Sequence, residues 1–143
     1  MKKSIVNKIL RGTFGRLWIN GRHVANVKEF ELKVTLNYET VQENGNMIDQ
    51  NRYIGASVAG NLLCHKTDSY FADLLGDAIK SGQMPDVKMD GRLDDPDADG
   101  SERIAVYDIV FDELTLLKFT NGAIGEEAMP FKAGDFEILD KIA

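Results

Sequence analysis

The sequence predicts a mainly β, α+β fold: an antiparallel β-sandwich or partly closed barrel of about seven or eight strands with one flanking amphipathic helix. Three observations predict it. Phe30, Leu32, Val34, Leu36 and Tyr38 alternate with Glu29, Glu31, Lys33, Thr35, Asn37 and Glu39, a period of two that gives a strand one buried and one wetted face. Asn20-Gly21 separates Arg16-Leu17-Trp18-Ile19 from Arg22-His23-Val24-Ala25, and Asn-Gly accepts positive φ at both positions, the strongest short hairpin signal. From Thr67 to Gly82 the apolar period becomes that of a helix.

Residues 1–12, MKKSIVNKILRG, set Ile5, Val6, Ile9 and Leu10 among basic residues. They read as a basic arm, either a short amphipathic helix or an extended segment that orders on a partner. A transit peptide is also basic and acid-free, but this stretch holds one serine and enters the first strand without a linker. The Asn20-Gly21 hairpin then turns one short strand into one long one. At about 3.3 Å per residue the long strand runs for roughly 40 Å, well beyond the usual five or six residues or so.

A polar loop rich in turn formers follows at residues 43–52, and it carries the apolar Met47 and Ile48. It is too long for a tight hairpin, and long loops inside a compact domain are commonly functional. Tyr53 to Cys64 resumes the two-residue period with small side chains, which suit a crowded or bent part of a sheet. In the helix, Phe71, Leu74, Leu75, Ala78 and Ile79 form one apolar stripe; Thr67, Asp68 or Ser69 can cap its start, and Gly82 with Pro85 closes it. Asp86–Leu93 and Arg103–Phe111 alternate again and read as partners across Asp94–Glu102. Leu114–Phe119 and Ala128–Leu139 supply two or three further strands, broken at Asn121-Gly122 and Ala133-Gly134.

A chain of 143 residues, 43% hydrophobic and 28% charged, is long enough for one domain spanning residues 1–143 with a single core. No apolar run approaches the eighteen or so residues that span a bilayer. Cys64 is the one cysteine, so no intramolecular disulfide can form, the chain fits a reducing compartment, and the thiol reads as a small buried hydrophobe. The net charge of −6 is unevenly spread: residues 1–28 carry seven basic side chains and no acid, leaving −13 on the other 115 residues. Such a split suits nucleic-acid binding, targeting, or docking of the basic segment on the acidic body of another copy. DNA binding needs Lys and Arg clustered on a folded face, whereas this body is acidic and repels DNA.

Asp95-x-Asp97-x-Asp99-Gly100 matches the first half of a calcium loop, but the twelfth position, where a bidentate Glu belongs, is Val106. A solvated acidic hairpin tip accounts for it. His23 and His65 have no metal-ligand spacing, and Cys64 and His65 point to opposite faces of a strand. Nucleophile-elbow, zinc-protease, phosphate-loop and dinucleotide motifs are absent. No catalytic residue, cofactor or metal is expected, and the chain reads as non-enzymatic.

The run GTFGRLWINGRHVANVKEFELKVTLNYETVQENG, the polar loop, the single helix and the closing MPFKAGDFEIL together resemble the tail tube protein of contractile-tailed phages and of PBSX-like defective prophages. That resemblance implies a sandwich-like monomer, six of which pair strands edge to edge into a ring. Rings would stack head to tail into a hollow inner tube through which DNA passes without specific binding. It also implies sheath, baseplate and tail-terminator partners, no membrane, assembly in the bacterial host cytoplasm and residence in a virion tail or phage-tail-like particle. Bacteriocins and type VI secretion tubes share this architecture. Under this resemblance Lys2, Lys3, Lys8 and Arg11 of the arm and Glu43, Asn46, Met47, Ile48 and Asp49 of the loop are the candidate inter-ring contacts. Glu29, Glu31 and Glu39 are the candidate lumen-facing residues. A ligand-binding β-barrel and a hydrolase using scattered carboxylates are the alternatives, and neither accounts for the basic arm or the apolar residues of the loop.

Overall fold

Strand length decides this architecture. The computed structural model describes residues 5–142, and in it nine strands form two antiparallel sheets among the described residues. One sheet is built from short strands: β1 (Gly15–Ile19), β2 (Arg22–His23), β5 (Met89–Leu93), β6 (Glu102–Tyr107) and β9 (Asp135–Asp140). Its order is β2-β1-β5-β6-β9. The other contains β3 (Val27–Val41) and β4 (Gln50–His65), of 15 and 16 residues, with β7 (Val110–Phe111) and β8 (Glu126–Ala133). Its order is β3-β4-β8-β7. The arrangement is sandwich-like and not a closed barrel, so the barrel variant of the expected fold is set aside.

Alternation decides which side chains fill the space between the sheets. Leu17, Ile19, Met89 and Val106 from the five-stranded sheet meet Leu62, Met129 and Phe131 from the four-stranded one, all nearly inaccessible. Phe131 anchors this layer, with Phe30 stacked at 6.2 Å and Phe111 edge-on at 6.3 Å between ring centroids. Gly60 explains the small residues of β4: a Cβ there would lie 2.5 Å from both the Glu31 carbonyl oxygen and the Phe131 ring. Only glycine lets the ring lie against the strand pair.

The helix forms where its stripe predicts, as α1 (Tyr70–Ser81), with Phe71 and Leu75 buried. Gly82 closes it in the left-handed region at φ 78°, its N–H donating to the Ala78 carbonyl at 2.9 Å. At the start, the Asp68 carboxylate accepts the Tyr70 N–H at 3.3 Å. No helix among the described residues is long and apolar enough to cross a membrane.

Three expectations are corrected. The Asn20-Gly21 turn forms, with φ of 50° and 83°, but it does not lead directly into the long strand. β2 ends after two residues, Val24 turns into the core with its N–H on the Leu17 carbonyl at 2.9 Å, and β3 belongs to the other sheet. Arg103–Phe111 is two strands: Asp108 adopts φ 54°, and buried Ile109 carries the chain from the end of β6 in one sheet to β7 in the other. Leu114–Phe119 is not a strand. The whole stretch 112–125 is irregular: Asp112 still donates its N–H to the Pro130 carbonyl at 2.9 Å and Leu114 still packs on the core, but beyond them the stretch pairs with no strand among the described residues.

Candidate assembly surface

β3 and β4 are far longer than the strands that cover them. The five-stranded sheet and β8 pack along Phe30–Val34 and Val58–His65, and β8 leaves the ladder at Val58, opposite Ala133. Beyond that point residues 35–57 form a two-stranded ribbon exposed on both faces, with only Gly55 partly sheltered. Seven residues of β3 lie in it, so it projects roughly 20–25 Å at about 3.3 Å per residue. The face continuous with the core carries Leu36 and Tyr38, 52% and 54% exposed, with Tyr53 opposite at 51%. Tyr38 and Tyr53 meet edge-on at 5.9 Å, a cross-strand pair that holds register. An isolated two-stranded ribbon is marginal in water, and this one shows apolar side chains to solvent.

The ribbon ends in residues 42–49, a loop shorter than its sequence implies because Gln50, Asn51 and Arg52 already belong to β4. Gly45 turns it at φ 82°. Asn46 holds the far side, its N–H donating to the Glu43 carbonyl at 3.1 Å and its Oδ1 accepting the Ile48 N–H at 3.0 Å. Asp49 accepts a long contact from the Gln42 amide at 3.5 Å. These local bonds push Met47 and Ile48 outward, fully exposed and 73% exposed. All five candidate residues of the loop therefore cluster at one tip.

The basic arm is joined to the acidic loop of its own chain. Arg11 donates to both Asp95 carboxylate oxygens, Nε to Oδ2 at 2.9 Å and a terminal nitrogen to Oδ1 at 2.8 Å, and its backbone N–H adds a bond to Oδ2 at 3.0 Å. Asp95 is only 2% exposed, and the Arg11 guanidinium, helped by the Asp97 N–H, holds its carboxyl well below the usual carboxylate range. Asp95 thus receives an arginine where the sequence pattern hints at a cation. Lys8 reaches Asp99 at 3.2 Å, and Arg11 also covers the Phe14 ring at 4.9 Å. Ile5, Val6 and Ile9 remain 82%, 68% and 65% exposed. Lys2 and Lys3 lie outside the described residues.

The outer face of the four-stranded sheet is wetted and built mostly from small or polar groups, with Leu63 and Val110 as apolar exceptions. Glu29, Glu31 and Glu39 occupy alternate positions of β3 and share this face, opposite Leu63, Asn61 and Arg52. Ala59, Ser57, Ala128 and Pro130 continue it without bulk. Lys33, paired with Glu31 at 3.3 Å, and Lys132 stand among the acids. At the base, Lys28 holds Glu126 at 2.6 Å and lowers that carboxyl from its ordinary value. Beneath it Cys64 is buried, and burial first, then the charges of Glu127 and Asp68, push its thiol up to about 11.

Two features escaped sequence reasoning. β9 is an edge strand exposed along its whole length, with Phe136, Ile138 and Leu139 between 37% and 49% exposed. The irregular stretch after β7 shows Leu116, Leu117, Phe119 and Ile124 at 73–84% exposure. Alternation at 114–119 marks that stretch as strand-like; only the topology reveals that no strand among the described residues pairs with it.

Known proteins match this arrangement along nearly the whole chain. The phage tail tube protein family model matches residues 4–140. The phage-like element PBSX protein XkdM of Bacillus subtilis (strain 168) is 31% identical over 137 residues, covering 94% of this chain and 92% of its own length. Among solved structures, a chain of the anti-feeding prophage tube-terminating cap superposes with a TM-score of 0.74 at 10% identity, covering 98% of this chain and 97% of its own. A chain of the sheath–tube complex of the extracellular contractile injection system PVC gives 0.66 at 12%, covering 96% and 99%. The two structural likenesses speak for the fold, while the family match and the XkdM identity assign kinship. This chain belongs to the phage tail tube protein family, a family of structural proteins and not of enzymes.

Proposed function

We propose that this protein polymerises as stacked rings of six into the hollow inner tube of a contractile tail and that the tube is the conduit for DNA ejection. The observation that carries the reading is the overhanging ribbon: a folded chain that leaves 23 residues of strand and turn uncovered on both faces, 35–57, is completed by other copies. β3 presents an open edge along 15 residues, a liability in a monomer that edge-to-edge pairing with a neighbour removes. Heterologous pairing of that edge closes a ring, and head-to-tail contact between rings extends without closing.

Within that assembly the tip residues Glu43, Asn46, Met47, Ile48 and Asp49 contact the adjacent ring. The arm contributes Lys8 and Arg11 at its anchored base, together with Lys2, Lys3, Ile5 and Val6. Glu29, Glu31 and Glu39 face the lumen, where a thin, polar and partly acidic wall lets a polyanion slide. Sheath, baseplate and terminator proteins are the other partners, joined in the host cytoplasm and retained in the tail. The ligand-barrel alternative is the weaker reading: Phe131, Leu62, Met129 and their neighbours fill the centre between the sheets. The cleft of about 550 Å³ that stays open beside β3, lined by Leu17, Phe30, Leu32 and Ile104 among others, lies at the sheet edge, and a barrel gives no role to the overhanging ribbon.

Negative-stain electron microscopy of the purified protein at rising concentration and moderate salt tests the reading. Six-membered rings or hollow tubes are expected. A species that stays monomeric at every concentration sinks it.

A further inference from the structure

The four-stranded sheet has two apolar ends. At one, the ribbon tip carries Met47 and Ile48, fully and 73% exposed. At the other lies the irregular stretch between β7 and β8. Its return is fixed at the foot of the sheet: the Gly125 carbonyl accepts the Lys66 N–H at 2.8 Å, one residue past the end of β4, and Glu126 opens β8 opposite His65. The stretch leaves β7 at Asp112, whose N–H donates to the Pro130 carbonyl at 2.9 Å, and Lys118 comes near enough to Glu126 at the foot to help lower its carboxyl. Around it Leu116, Leu117, Phe119 and Ile124 are 73%, 82%, 84% and 81% exposed. Four large apolar side chains clustered in one exposed segment mark an interaction site.

The two ends cannot meet within one copy. β4 has 16 residues, so they are separated by roughly 50 Å at about 3.3 Å per residue. A copy displaced along the strand direction brings the tip of one against the foot of the next. Charge agrees with that pairing. Residues 42–49 carry Glu43 and Asp49 and no base, whereas residues 114–125 carry Lys118 and no acid, and the acids that follow, Glu126 and Glu127, are already paired with Lys28 and Lys66. Like meets like in polarity and opposite meets opposite in charge, which a tip-to-tip or foot-to-foot contact does not offer.

We propose that the stretch 114–125 is the seat for the ribbon tip of the copy in the adjacent ring, with Met47 and Ile48 packed among Leu116, Leu117 and Phe119 and the tip acids beside Lys118. This deepens the tube reading and rests on it. The stretch stays irregular in the single chain because the group that orders it belongs to another copy.

Cross-linking tests the seat in the full-length chain. Met47→Cys and Leu117→Cys are placed together, with buried Cys64 left in place and each single variant as control. Mild oxidation of assembled tubes is expected to yield a ladder of disulfide-linked multimers on a non-reducing gel with the double variant alone. Leu117→Cys in intact tubes is expected to resist a maleimide that labels it in the monomer. Tubes that form normally yet give no ladder and leave Leu117→Cys open to maleimide overturn the seat and spare the tube reading. Failure of the unmodified chain to form tubes overturns both. As a second variant, Leu116→Asp with Leu117→Asp alters only exposed positions; monomer circular dichroism is expected to be unchanged while the concentration needed for tubes rises at least about tenfold. Unchanged tube assembly by that variant also counts against the seat.

Discussion

Arg11 and Asp95, 84 residues apart, are joined by three hydrogen bonds of 2.8–3.0 Å, two from the guanidinium and one from the Arg11 backbone. The pair is asymmetric: the Asp95 side chain is fully covered, whereas that of Arg11 is 53% exposed. Removing the arginine leaves a buried carboxylate without its main partner, which is far costlier than losing an exposed ion pair. The arm is therefore rooted by Lys8 and Arg11, and the division falls ahead of Lys8, where Ile5 and Val6 are exposed.

That division separates two deletions. Removal of residues 1–12 takes Arg11 and is expected to lower the thermal midpoint, whereas removal of 1–7 leaves the root intact and preserves it. Both are expected to weaken polymerisation, since both remove Ile5 and Val6. Scanning calorimetry with sedimentation of the assembled fraction separates fold from assembly. Equal midpoints for the two deletions contradict the anchoring role of Arg11.

The same pair sets the acid limb of stability. The folded carboxyls of Asp95 and Glu126 are held below their ordinary values by Arg11 and Lys28 respectively. A depressed folded pKa contributes stability that is complete above the unfolded value, near 4 or so, and is lost as pH falls toward the folded one. The thermal midpoint is thus expected to hold between about pH 5 and 8 and to fall below about pH 4. Asp95→Asn, which cannot ionise, is expected to start lower at neutral pH and to show a shallower acid limb. An acid limb as steep as that of the unmodified chain rules out Asp95 as its main source.

Much of this fold is legible in local pattern, and the rest is not for a definite reason. Phe30–Tyr38, Asn20-Gly21 and Phe71–Ile79 announce strand, turn and helix because period and turn chemistry are local properties. Which sheet a strand joins is not local: Val24 and Ile109 look like ordinary strand residues, yet each carries the chain across the sandwich. The Leu114–Phe119 pattern reads as a strand, yet no strand among the described residues pairs with it. For the assembly surface, exposed Met47 and Ile48 stand out in a polar loop. The exposure of Leu36, Tyr38 and Tyr53 emerges only when the five- and six-residue strands opposite prove too short to cover them.

Two glycines predict opposite outcomes on becoming alanine. At Gly60 the new Cβ would lie 2.5 Å from the Glu31 carbonyl oxygen and the Phe131 ring, and the backbone oxygen cannot swing away. Gly60→Ala is expected to destabilise by about 1–3 kcal/mol or more through overpacking. Gly76 sits inside α1 with nothing near its Cβ position, so Gly76→Ala is expected to stabilise by roughly 0.5–1 kcal/mol. Urea denaturation of both variants checks the pair, and a stable Gly60→Ala would mean the Phe131 layer is looser than its geometry indicates.

Cys64 is expected to be chemically silent in the folded chain. Its thiol is 1% exposed and pushed up to about 11, and the thiolate is the reactive form. A thiol reagent at pH 8 should leave the native protein unlabelled and react with one equivalent in denaturant. Rapid native labelling would instead indicate frequent opening of β4 from β8.

The ribbon yields the sharpest contrast between folding and assembly. Leu36 lies on the core-side face of β3 but beyond the reach of the second sheet, 52% exposed. An exposed site is worth little to the monomer, so Leu36→Asp is expected to change unfolding free energy by no more than about 0.5 kcal/mol. In the proposed tube the same side chain would be covered, where full burial of a leucine is worth about 1.5–3 kcal/mol and a charge in its place also carries a desolvation penalty. The variant should therefore melt like the unmodified chain yet need at least about tenfold more protein to assemble. Leu62→Ala supplies the reciprocal control: Leu62 is fully buried on the next strand, so its loss should cost about 2–5 kcal/mol of monomer stability. If Leu36→Asp unfolds the monomer, the ribbon belongs to the core; if it assembles normally, the ribbon is not the surface that other copies cover.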